Sequence, residues 1–121
     1  LRFLSLQFKI LEQMRSFGMT PVLPAFSGNV PKGILRLYPE ARVTRLGPWS
    51  KFNCSFSCSY ILDPRDPLFL RIGSLYLAQV VKQFGTNHIY NTDTFNEMTP
   101  PSSEPNYLSA VSRAVFAAMT A

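Results

Sequence analysis

Histidine and cysteine are scarce in this chain, one of the first and two of the second among 121 residues. With no second cysteine pair and no ligand cluster, the sequence offers no metal centre, and no cofactor is expected. No run of ~18 apolar residues occurs, so no membrane span is expected. A glycine-rich phosphate loop and a nucleophile elbow are both missing, which removes the nucleotide-binding and serine-hydrolase readings. Acids are outnumbered, 7 against 12 lysines and arginines, for a formal charge of +5. That balance suits an acidic partner, yet no nucleic-acid-binding module is recognisable and nucleic acid is not an expected partner. Lys32, Arg36, Arg42, Arg45 and Lys51 gather around one acid, Glu40. They read as a solvated basic face, with an anion-binding rim as the alternative.

What is present is enough apolar residue, 46%, and little enough charge, 16%, for one folded domain. Leu6, Ile10, Leu11, Met14 and Phe17 follow helical spacing, and Gly18 supplies a left-handed stop. A short buried strand is predicted over 19–23, with Pro24 opening the next loop. "GNVPKGILRLYPE" allows at most a short helix closed by Pro39, and residues 40–63 read as a long, functional loop. A second helix starts at the N-cap Asp66 with Pro67 in its first turn, buries Leu68, Ile72, Leu75, Val80, Val81 and Phe84, and ends at Gly85. "HIYNTDTFNE" is the second strand. Ser103 then caps a third helix bearing Leu108, Val111, Val115 and Met119. Two strands this far apart in sequence, separated by helices, pair in parallel through a crossover. The fold class is therefore α/β, with function expected in Pro24–Gly28 and Asn96–Pro101 at the strand C-termini. The chain opens on "LRFLSLQFKILEQM" without an initiating Met or signal peptide and stops inside the helical "AVFAAMTA". Residues 1–121 thus read as a partial domain cut at both ends.

Glu97, at the end of the second strand and just before Pro100-Pro101, leads the chemical candidates. A general acid needs a carboxyl held by a rigid element in a concave site, and Asn96 beside it could bond a substrate hydroxyl. The competing reading is a carboxylate at the N-terminus of the next helix. Asp93, Phe95 and Glu97 share one side of the strand if it stays regular, so Asp93 either orients Glu97 or sits in a buried hydrogen-bond network. Trp49, the single tryptophan, offers a face for a sugar or cation, or anchors its loop on the core. Cys54 and Cys58 are either a small-loop disulfide or two packed thiols. Asn53-Cys54-Ser55 is a glycosylation sequon that matters only in a secreted or lysosomal protein. His88 reads as structural.

"MRSFGMTPVLPAFSGNVP", "WSKFNCSFSCS", "FGTNHIYNTDTFNEM" and "PPSSEPNYL" closely resemble the lysosomal α-N-acetylglucosaminidase family, in the expected order over nearly the whole chain. The resemblance implies a fragment of a (β/α)₈ TIM barrel, about two βα units with a long loop insertion. It implies a retaining exo-glycosidase that removes terminal, non-reducing α-linked N-acetylglucosamine from heparan sulfate. By the same resemblance Glu97 is the acid/base, Asn96 and Trp49 contact the sugar, Cys54 and Cys58 form a disulfide, and Asn53 is glycosylated. The nucleophile would come from a later strand, so the remainder of the barrel is an expected partner and the fragment alone is expected to be inactive and to aggregate. The other reading is a non-catalytic, truncated or degenerate derivative with a structural or sugar-binding role. Two departures stand out: Ala41-Arg42-Val43-Thr44 where relatives can carry a sequon, and Asn29 where His is expected.

Overall fold

The computed structural model describes residues 2–121. Helix α1 (Arg2–Ser16) starts before the predicted Leu6, and its apolar stripe is only partly covered. Leu11 is buried, while Leu6, Ile10 and the following Phe17 are exposed. Gly18 ends it as expected, at φ 74, and lets the Met19 N–H reach the Met14 carbonyl at 3.1 Å. Strand β1 (Val22–Pro24) lies later than predicted and contains Pro24 instead of stopping before it. The missing proline donor is tolerated because Ala25 continues the ladder, donating to the Asn91 carbonyl at 2.8 Å.

The largest correction concerns residues 40–63, expected as an irregular loop. After β2 (Asn29–Val30) and the short helix α2 (Ile34–Leu37), the chain forms β3 (Val43–Arg45) and a tight turn at Trp49–Lys51. It continues through a single helical turn, α3 (Cys54–Ser57), into β4 (Tyr60–Leu62). β4 runs antiparallel between β2 and β3. Strands of two or three residues cannot display a period of two, so no local signal announced this sheet.

Helix α4 (Pro67–Phe84) is capped by Asp66, whose carboxylate accepts the Leu68 N–H at 2.9 Å and the Arg42 N–H at 2.8 Å. Burial alone would raise the Asp66 pKa, but these two donors and the Arg42 charge outweigh it and hold the carboxyl below its usual 3.8. The buried positions are Leu68, Phe69 and Gly73, while Ile72, Val80, Val81 and Phe84 are half-buried and Leu75 is exposed against expectation. Helix α5 (Pro105–Thr120) begins after Glu104, so Ser103 is not its cap. Ser102 instead accepts the Glu104 N–H at 3.1 Å. Its buried face is Tyr107, Val111, Val115 and Ala118. A Cβ on Gly73 would stand 2.5 Å from that of Ala118 and 3.2 Å from the Phe26 ring. Gly73→Val, in a longer chain carrying this segment, is expected to lose about 3 kcal/mol through overpacking. An unchanged denaturant midpoint would show slack between the two helices.

Strand β5 (Ile89–Asn91) follows Gly85 and pairs in parallel with β1, Val22 opposite Ile89 and Pro24 opposite Asn91. The predicted parallel crossover is thus present, but the strand stops at Asn91 instead of Glu97. The core joins the two sheets' connections to the helices: Phe26, Val30, Leu62, Leu68, Phe69 and Val115 form one buried cluster. Phe26 meets Phe69 edge-on with centroids 5.2 Å apart.

His88, just ahead of β5, is packed edge-on against Tyr90, and both its ring nitrogens are buried without a partner. Burial, then the Arg15 charge, lowers its pKa below the usual 6.5. The folded state therefore favours the neutral ring. Its contribution is intact above 6.5 and is lost as pH falls from there through the lower folded value. Denaturation of the longer chain between about pH 7 and 5 should show this loss, and His88→Gln should flatten it. Parallel slopes for the two proteins would refute the assignment.

Candidate active site

The connections leaving β1 and β5 at their C-terminal ends meet the turn at Trp49–Lys51 around a cleft of about 360 Å³. Its walls include Asn29, Trp49, Phe56, Asp93, Asn96 and Met98. A second cleft of about 350 Å³, lined by Leu23, Ala25, Ser27 and Asn91, lies at the strand ends themselves and shares Asp93. Glu97 stands between two lining residues, and the Trp49 indole N–H donates to its Oε2 at 3.0 Å. Three sequence candidates, Trp49, Asn96 and Glu97, are thus brought together from segments 48 positions apart.

The backbone that does this is unusual. Because the chain leaves the sheet at Asn91, the expected alternation of Asp93, Phe95 and Glu97 along one strand face does not exist. Residues 94–97 form a turn, with Glu97 at φ 52. Asp93 is exposed and sits in no buried network among the described residues. On the other side Ser50 and Lys51 have φ 47 and 63. Among the described residues these three are the non-glycine positions in the left-handed region.

Trp49 stacks on Phe52, centroids 5.7 Å apart and planes 20° from parallel. A disulfide links Cys54 to Cys58, Cα atoms 4.6 Å apart, across the single turn of α3. Asn53 caps that turn, its Oδ1 accepting the Ser55 N–H at 2.8 Å, and Ser57 Oγ donates to the Phe52 carbonyl at 2.8 Å. Sequence reading missed Phe56 and Met98 as cleft walls, although each adjoins a quoted motif. Asn29 lines the cleft, donating from Nδ2 to Ser27 Oγ at 3.0 Å. The basic group does not: Lys32, Arg36, Arg42, Arg45 and Lys51 are exposed, and Arg42 pairs with Asp66 at 3.8 Å. Among the described residues no three His, Cys, Asp or Glu could hold a metal ion, and no helix is long and apolar enough to cross a membrane.

A parallel strand pair joined by a crossover, with a carboxylate, an amide and an indole gathered where its C-terminal connections meet, has the layout of an α/β-barrel enzyme segment. Comparison with known proteins identifies which. Residues 2–121 match the family described as Alpha-N-acetylglucosaminidase (NAGLU) tim-barrel domain, and the chain belongs to that family. The human alpha-N-acetylglucosaminidase is 61% identical over 118 residues, covering 98% of this chain and 16% of the human protein. Among solved structures, the family 89 glycoside hydrolase from Clostridium perfringens superposes with a TM-score of 0.76 at 22% identity. It does so in complexes with 2-acetamido-1,2-dideoxynojirmycin and with its substrate GlcNAc-alpha-1,4-galactose, over 97% of this chain and 14% of that one. That likeness shows the α/β fold.

Proposed function

We propose that residues 1–121 are an internal part of a (β/α)₈ catalytic barrel, about two βα units and the insertion between them, from a retaining exo-α-N-acetylglucosaminidase. The observation that supports this best is the Trp49–Glu97 hydrogen bond beside Asn96 at one cleft, in a chain of this family. Glu97 is the acid/base. In its protonated form it gives its proton to the glycosidic oxygen as the C1–O bond breaks and the electron pair leaves with that oxygen. A second carboxylate, from a segment outside these residues and ~5–5.5 Å away, attacks C1 to form the glycosyl-enzyme. Glu97, now ionised, takes a proton from the water that hydrolyses it. The C. perfringens enzyme was solved with its substrate after two glutamates had been replaced by glutamine, which fits a mechanism built on two carboxylates.

Asn96 and the open face of Trp49 contact the sugar. The substrate is a terminal, non-reducing α-linked N-acetylglucosamine, as in heparan sulfate, and the compartment is the lysosome. Asn53 suits glycosylation there: it is exposed, and its cap uses Oδ1, leaving Nδ2 free. Residues 1–121 alone are inactive on this reading, because β1 and β5 are both edge strands of a two-stranded sheet and the nucleophile comes from outside these residues. The test is hydrolysis of aryl α-N-acetylglucosaminides by a longer chain, beside its Glu97→Gln counterpart. A folded wild type that hydrolyses none of them would favour the non-catalytic derivative.

A further inference from the structure

Resting on the reading of Glu97 as the acid/base, we infer that Trp49 is a positioning residue for it, through the indole N–H and separately from any contact its ring makes with sugar. The ring and the N–H of the indole do different things. The ring stacks on Phe52 and lines the cleft, while the N–H donates to Glu97 Oε2, 3.0 Å away. A carboxyl on an exposed turn would otherwise swing among several rotamers. One donor on Oε2 fixes its torsion and leaves Oε1 for the proton that moves.

The backbone supports the same assignment. A left-handed conformation in a residue with a Cβ persists where surrounding contacts over-determine it. The three such residues described here lie at the two ends of this hydrogen bond: Ser50 and Lys51 immediately after the donor, and Glu97 itself as the acceptor. On the donor side the conformation is held by the Phe52 stack, the Phe52 N–H bonded to the Trp49 carbonyl at 2.9 Å, the Asn53 cap and the Cys54–Cys58 disulfide. That is more fixing than a loop anchor on the core requires, and Trp49 is in any case 40% exposed.

Trp49→Phe separates the roles, since phenylalanine keeps an aromatic face and the stack on Phe52 but has no donor. In the longer chain, kcat/KM for an aryl α-N-acetylglucosaminide with a poor leaving group should fall about 10-fold, the order expected for losing one charge-assisted hydrogen bond. For an activated nitrophenyl leaving group, which departs without a full proton, the fall should be clearly smaller, and inhibition by free N-acetylglucosamine should be weakened less than in Trp49→Ala. Trp49→Ala should lose both, with weaker inhibition. Equal losses on the two leaving groups in Trp49→Phe, with inhibition weakened as much as in Trp49→Ala, would make Trp49 a sugar platform only and overturn the inference. Failure of the Glu97 reading looks different: Glu97→Gln would then show no leaving-group dependence, whatever Trp49→Phe does.

Discussion

Glu97→Gln in the longer chain is expected to lower turnover of α-N-acetylglucosaminides with poor leaving groups by about 10²–10⁴-fold, the usual worth of general acid catalysis. Glutamine keeps the length of the side chain, and its carbonyl can still accept the Trp49 N–H, so the geometry around the cleft should survive. What is lost is the proton. With an activated leaving group the first step no longer needs it, and the burden passes to hydrolysis of the glycosyl-enzyme, where the missing base slows the attack of water. The intermediate then accumulates, KM falls with kcat, and azide, an anion that needs no base, restores turnover and yields the α-glycosyl azide of retained configuration. Equal losses across the leaving-group series with no azide rescue would move the acid/base role to another carboxylate, with Asp93 on the same cleft the first to examine.

The second large effect is on stability. Phe69→Ala is expected to cost about 3–5 kcal/mol, the range for emptying a buried aromatic site. Phe69 is 1% exposed and packs edge-on against Phe26. Its ring also lies 2.7 Å from where a Cβ on Gly28 would stand, and Gly28 is at φ 98, so this approach of ring to backbone needs a glycine. The Gly28 carbonyl in turn accepts the Leu62 N–H at 2.9 Å. One ring thus supports α4, the connection leaving β1 and the attachment of the antiparallel sheet. Denaturant unfolding of the longer chain would measure the loss. A value under about 1 kcal/mol would mean that the site collapses around the vacancy, which the close packing there argues against.

The helices were legible because they are long enough to repeat. α4 announces itself by Asp66, Pro67 and Gly85 at its ends, and α5 by Val111 and Val115 on one face. The parallel pairing of β1 with β5 followed from the spacing alone. Partner-dependent features were not legible. Leu75 carries the right spacing for burial yet is exposed, and Gly73, which no apolar pattern marks, lies where α4 approaches Ala118 too closely for a side chain. The sheet of β2, β4 and β3 has strands too short for any pattern, and only their pairing makes them strands. The regular strand expected to present Glu97 ends at Asn91, and a left-handed turn brings its carboxylate to the cleft instead.

The crossover between β1 and β5 also sets an order of events as the chain folds. Every residue of the Trp49 turn, the disulfide and the three antiparallel strands has been synthesised once Leu62 has, and these strand pairings close shorter loops than the β1–β5 pairing does. The Glu97 side cannot form until the second parallel strand exists and a loop roughly twice as long has closed, which contact-order arguments place later. The indole therefore waits, already shaped, for a carboxylate that arrives last. Protection of the Trp49 indole proton in pulse-labelled refolding should lag behind that of the Tyr60–Leu62 amides, and simultaneous protection would contradict this order.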